Sequence, residues 1–340
     1  MEQDTLERNP ETEKDETPMP EQTEEVKTDM TEEAEPKEEP KEGSARPRRS
    51  LTPEERELLQ KRRKKRKIRA LINLAVPVVL LVMFVVFGIL FLRDYREYRI
   101  AKNAYKKLDS LVEEKGTVTA TSLPIADDRS VDEDMPAAAE EEEPVTFDYP
   151  ALEIDFPALQ QVNKDFVGVL YIPSLDLRYP VVHSRDNEEY LHKTFDGITN
   201  SSGAIFLDFL AHRDMEDKNT FLFGHNMRNG SMFGSLKKFT TDETLAANDP
   251  YVYFYTADCV RKYEIFAYYF SFVGSDAYQN FTGDNGYDEY VRKALANTLF
   301  INDEVDLTTR PNILSLSTCS GTEHVRRLLV HSALIGKAAY

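Results

Sequence analysis

Tryptophan is absent from the 340 residues, and cysteine occurs only twice, at positions 259 and 319. Two thiols limit the chain to a single possible disulfide. Histidines, cysteines and carboxylates show no ligand spacing of the zinc or calcium kind, so neither a metal nor another cofactor is expected. No internal repeat recurs. The first 45 residues are Glu, Lys, Thr and Pro with almost no large apolar side chain. Burial there cannot offset the entropy of ordering the chain, and residues 1–69 are expected to be a disordered acidic tail that ends in a basic run.

The formal net charge of -18 is a poor guide to partners, and nucleic acid is not expected among them. Much of that charge lies in the tail and around Glu140–Glu143. The opposite case is KRRKKRK at residues 61–67, and the segment after it explains it. Residues 70–92 carry no charge over 23 positions. At helical rise they reach about 35 Å, enough to cross a hydrocarbon core of about 30 Å. The run is too long for a cleaved signal peptide and lacks a small-residue cleavage site, so it reads as an uncleaved transmembrane anchor. Lys and Arg dominate its N-terminal flank, whereas residues 93–107 mix both signs. The positive-inside bias therefore predicts a single pass with a cytoplasmic N-terminus and an extracellular C-terminal part.

Residues 93–146 divide into a juxtamembrane helix to about Lys115 and a flexible acidic spacer from 116. A folded domain is expected over 147–340. Its opening, DYPALEIDFPALQQVNKD, reads as a short helix with Asp155 as cap. Strand signals follow in VGVLYIP, YPVVH, GAIFLDF, NTFLFGH, YVYFYT, YEIFAYYFSFV, NILSLST and RLLVHSALI, interrupted by one helix at 287–300. A mainly β domain with about eight such strands points to a barrel or sandwich, and closure would remove exposed edges.

Cys319 ends one of these strands, and Arg326 and Arg327 open the next. A free thiol with a pKa of about 8.5 is mostly protonated at neutral pH, so a nucleophilic cysteine needs an imidazole or a cation close by. If LSLST and RLLVH pair as a hairpin, one of the two arginines lies beside Cys319. His183, His192, His212 and His331 lie in loop-like or strand-interior settings. His225 ends the apolar strand NTFLFG, where side chains on a rigid scaffold can converge. Spacing alone leaves open both this convergence and a Cys259–Cys319 disulfide.

NTFLFGHNMRNGSMFGSLKKF, together with LSLSTC and an arginine eight residues beyond the cysteine, resembles the sortase transpeptidases of Gram-positive bacteria, class B in particular. The similarity extends over about residues 150–340. It implies a closed sortase-type β-barrel with N-terminal helices and a helix inserted before the cysteine strand. The family's Cys, His and Arg correspond to Cys319, His225 and Arg327; Arg327 is preferred to Arg326 because it directly precedes the apolar LLV. The resemblance further implies substrate-pocket roles for Ser317, Asn187, Leu191 and Tyr278. Val169 stands where many members carry an aromatic residue.

The implied chemistry is cleavage of a C-terminal sorting signal on a secreted protein, through a thioacyl intermediate on Cys319. Transfer to a peptidoglycan precursor or other cell-wall amine follows. An NPxTN-like or (S/P)PxTG-like signal is expected. A papain-like cell-wall hydrolase would want its cysteine on a helix and before the histidine, which this order reverses. A non-catalytic tethered binding domain is distinguished by an inert Cys319.

Overall fold

The computed structural model describes residues 52–123, 145–319 and 326–340; for Cys319 it describes the backbone but not the side chain. The acidic tail expected before residue 52 and most of the expected spacer, 124–144, lie outside the described residues. The chain divides into two compact units, Met1–Asn73 and Leu74–Tyr340.

In the first unit the described residues open helix α1 (Pro53–Asp109). Its start is a reciprocal capping box: Thr52 N donates to Glu55 Oε2 (2.9 Å) and Glu55 N to Thr52 Oγ1 (3.3 Å). Pro53 at the first helical position has no N–H to leave unpaired.

In the second unit α1 runs on without a break. It contains one stretch long and apolar enough to cross a membrane, with a mean hydropathy of 3.1 and none of that window buried. Beyond it, Ala101, Ala104 and Leu108 are buried, a three-to-four residue spacing that lays one face of the helix on the folded domain. The expected juxtamembrane helix is therefore the end of α1, and it stops at Asp109 rather than Lys115.

Strand β1 (Val112–Thr121) follows and pairs antiparallel with β2 (Thr146–Ile154). This ribbon corrects two expectations. Part of the supposed spacer is a strand, and the domain's opening DYPALEI is a strand rather than a helix. The β-branched alternation TVTAT suits a pleated ribbon although almost all of β1 is exposed. Pro150 is tolerated because the register slips beside its partner Thr117. Helix α2 (Phe156–Val162) then starts at the expected cap, where Asp155 Oδ1 accepts from Ala158 N (2.9 Å).

The barrel contains β3 (Phe166–Ile172), β4 (Leu177–His183), β5 (Ile205–Leu207), β6 (Asn219–Gly224), β7 (Tyr251–Tyr255) and β8 (Cys259–Phe272). It is completed by β9 (Phe300–Ile301), β10 (Ile313–Cys319) and β11 (Arg326–Ala339). Helices α3 (Thr244–Asn248) and α4 (Tyr287–Asn297) lie between strands. Among the described residues the sheet order is β11-β10-β6-β5-β4-β3-β7-β8-β9, and a β11–β8 pairing closes eight strands into a barrel with β9 appended.

Both faces of the barrel wall are covered. Leu170, Leu222, Leu314 and Leu316 belong to one buried cluster, whereas Val169, Phe221, Phe223 and Leu329 belong to the other. That explains why β6 is buried at every position and reads as an apolar run rather than an alternating one. Each such side chain contributes about 1.5–3 kcal/mol by burial. Helix α4 adds Tyr287, Tyr290, Val291 and Ala294 to the second cluster.

Candidate active site

Three neighbouring strands set the geometry. β6 and β10 run parallel, with Thr318 level with Gly224, so the next residues, Cys319 and His225, end side by side. β10 and β11 run antiparallel, and Cys319 is the register partner of Arg327. Adjacent strands are separated by about 4.8 Å. His225, the Cys319 backbone and Arg327 therefore form a row about 10 Å wide at one rim of the barrel.

The two arginines diverge, as successive strand residues must. Arg326 is exposed, with its guanidinium 4.7 Å from the Phe270 ring centroid. Arg327 is half-buried, and its Nε is buried without a hydrogen-bond partner among the described residues.

His225 is held from two sides. Its Nε2 lies 2.8 Å from the carbonyl oxygen of Leu191, to which the ring N–H donates. Behind the ring is Gly203, at φ +60, where a Cβ would come within 3.0 Å of His225 Cδ2. Gly224 also needs its missing side chain, because a Cβ there would meet Phe233 at 2.8 Å and Ile205 more closely still.

Below the row, Ser317 is fully buried and shares a 3.2 Å hydrogen bond with Tyr278 Oη. The Tyr278 ring lies 5.6 Å from Phe221 and 6.4 Å from Phe223. Leu191 packs against the same cluster. Asn187 lies elsewhere: its Nδ2 donates to Asp208 Oδ1 (3.3 Å), and its Oδ1 accepts from Phe209 N (3.0 Å). Asp208 N bonds Phe221 O, four residues before His225 on β6, or about 13 Å along the strand. Of the seven residues singled out in the sequence, His225, the Cys319 backbone, Arg327 and the Leu191 carbonyl meet at the rim, Ser317 and Tyr278 lie just below it, and Asn187 stands apart beside Asp208.

Deeper still runs a polar chain that the sequence did not reveal. Ser315 Oγ donates to Asn219 Oδ1 (2.8 Å) and lies 2.8 Å from His331 Nδ1. Asn219 Nδ2 donates to Gln279 O (2.7 Å), which ties the strand pair to the loop carrying Tyr278. Burial pulls the His331 pKa down to about 3, so this imidazole is neutral. Its only sequence signal is the alternation LSLST, where serines occupy an inward face of an apolar strand. Among the other histidines, burial lowers the pKa of His183, and the Asp217 carboxylate, 2.7 Å from His212 Nδ1, raises that of His212.

The strand register separates the two thiols. Cys259 pairs with Ala339 and Cys319 with Arg327, at opposite ends of β11. Twelve residues (339 minus 327) extend about 40 Å, against the ~7 Å limit between Cα atoms of a disulfide. Cys259 is free and buried. Among the described residues, no group of three or more His, Cys, Asp or Glu side chains could hold a metal ion.

The sortase domain family matches residues 170–335 of this chain. Sortase B of Bacillus anthracis, in a solved structure, is 32% identical over 53% of this chain and 84% of its own, with a TM-score of 0.49. The chain belongs to the sortase family, in class B. Clostridium perfringens sortase B, in a mutant form, is 28% identical over 53% of this chain and 85% of its own, with a TM-score of 0.50. Sortase B of Listeria monocytogenes is 29% identical over 184 residues, which are 53% of this chain and 73% of that protein. Sortases are cysteine transpeptidases, and the closed eight-stranded barrel described above is the sortase barrel.

Proposed function

We propose that this sortase is anchored in the membrane through the apolar part of α1, with its N-terminus cytoplasmic and its barrel outside. There it cleaves the C-terminal sorting signal of secreted proteins and transfers them to a cell-wall amine. The observation that carries the reading is the row of His225, Cys319 and Arg327 on three hydrogen-bonded strands.

In the proposed reaction the Cys319 thiolate attacks the backbone carbonyl of a threonine in the signal. Arg327, with its buried Nε unpartnered among the described residues, donates to the developing oxyanion. The C–N bond breaks, and His225, as imidazolium, delivers a proton to the departing amine. A thioester remains on sulfur. The neutral amine of the acceptor then adds to the thioester carbonyl. A new C–N bond forms, the C–S bond breaks, and the proton lost by the amine passes through the imidazole to the leaving thiolate. Ser317, Tyr278 and Leu191 wall the donor peptide, with Asn187 at the far end.

The test is incubation of the full chain in detergent with a library of peptides carrying NPxTN-like and (S/P)PxTG-like motifs, followed by mass spectrometry. A thioester on Cys319 is expected, absent in Cys319→Ala and retained in Cys259→Ala. Persistence of the adduct in Cys319→Ala would assign the nucleophile to another residue.

A further inference from the structure

A cleft of about 1140 Å³ lies between the last turns of α1 and the loop that follows His225. Its lining includes none of Leu191, Tyr278, Ser317 and Arg327, so it is separate from the donor wall. It nevertheless touches both segments that bracket His225. Asn226 to Met232 follow the histidine directly, and Asn200 to Ser202 lead into Gly203, which backs its ring. Tyr105 of α1 fixes this junction by donating to Gly203 O (2.9 Å).

The charges in the cleft are of both signs; Arg93 and Asp94 pair with each other (3.5 Å), and Asp176 lines it as well. Lys102, Lys106, Arg178 and Arg228 line it together with Glu97 and Asp109, and among the described residues none of the six forms an ion pair. Asn226, beside His225, has its Oδ1 buried without a hydrogen-bond partner among the described residues. Unpaired cations favour a carboxylate, and acids together with an unsatisfied carbonyl favour an ammonium or N–H donor.

We propose that this cleft binds the second substrate, a short peptide bearing both a free amine and a carboxylate, and presents its amine to the thioester past His225. The assignment rests on the transpeptidase reading above and adds where the acceptor sits and what recognises it. The donor then occupies the Tyr278 side and the acceptor the α1 side, with the imidazole between them.

The probes are triglycine and triglycine amide, supplied to the full chain with the most reactive donor peptide. The readout is the ratio of transfer product to hydrolysed donor, which does not depend on the acylation rate. Triglycine is expected to outperform its amide several-fold. Lys102→Glu combined with Arg228→Glu is expected to lower the triglycine ratio about tenfold, the loss of one charge-assisted contact. The milder pair Lys102→Gln and Arg228→Gln should move it in the same direction by less. An unchanged ratio in both pairs, or equal use of triglycine and its amide, overturns the proposal.

If no thioester forms on Cys319, the transpeptidase reading fails by itself, and saturation-transfer NMR of triglycine on full-length Cys319→Ala protein decides the cleft independently. A signal weakened by the Lys102→Glu and Arg228→Glu pair supports the site; no signal, or one the pair leaves unchanged, removes it.

Discussion

Replacing Gly203 with alanine should damage both the fold and the chemistry, and the structure says by how much. Gly203 sits at φ +60, where an L side chain costs about 1 kcal/mol. Its new Cβ would lie 2.5 Å from Tyr190 O, 2.9 Å from Leu191 O and 3.0 Å from His225 Cδ2. Both carbonyls are in use: Tyr190 O accepts from Ala204 N, and Leu191 O accepts from His225. Relief requires the 190–191 turn or the imidazole to move, which weakens two hydrogen bonds worth about 1 kcal/mol each. The sum is about 3 kcal/mol, or roughly 6–12 °C in Tm for a domain of this size. Displacing the proton donor by about 1 Å should slow thioester formation about 100-fold. Gly197→Ala is the control, because Gly197 has φ +80 with nothing within 4 Å of an added Cβ. It should lose only the backbone part, about 1 kcal/mol, and keep its rate. Thermal unfolding and single-turnover acylation measure both quantities. Equal Tm losses in the two variants, with a Gly203→Ala rate within about threefold of wild type, would refute this account of His225.

Arg327→Ala should reduce acylation about 100-fold or more, whereas Arg326→Ala, which loses a cation–π contact on the exposed face, should stay within about threefold; single-turnover rates on both decide which arginine serves the oxyanion. Tyr278→Phe removes the Ser317 hydrogen bond and should raise the donor KM about fivefold with the barrel intact by circular dichroism. His331 has a folded pKa of about 3, below its ordinary 6.5, so the unfolded chain binds the extra proton and stability falls as pH drops below 6.5. About 2 kcal/mol should be lost between pH 7 and pH 5, and His331→Gln should flatten that part of the denaturation profile. A chain beginning at residue 122 lacks β1 together with buried Leu108 and Val112, and should be less stable by about 3–6 kcal/mol in urea unfolding.

Most barrel strands are legible because their aromatic and β-branched runs are covered on both faces. The β1–β2 ribbon is not: β1 is almost all exposed, and in β2 Pro150 and the change of phase between Tyr149 and Leu152 break the alternation that would mark its buried side chains. Separate readings of the basic run, the apolar run and the juxtamembrane stretch conceal one continuous α1; no residue between them breaks a helix, and Pro77 is accommodated. At the rim, His225 and Cys319 stand out as strand ends. Their adjacency depends on a parallel pairing between β6 and β10, strands about ninety residues apart, which no local pattern encodes. The row of serines leading to His331 stays hidden for a related reason, since a buried histidine is recognisable only by what surrounds it.

β11 is the seam of the barrel. It has seven register partners on β10 and thirteen on β8. Arg327 sits near the end of that seam, with register partners on both sides, Cys319 of β10 and Ser271 of β8. Opening the wall beside it breaks the pairing to two neighbouring strands at once. The enzyme should therefore lose turnover at the same denaturant midpoint at which it loses its fold, with the slowest-exchanging amides on the strand that carries the arginine.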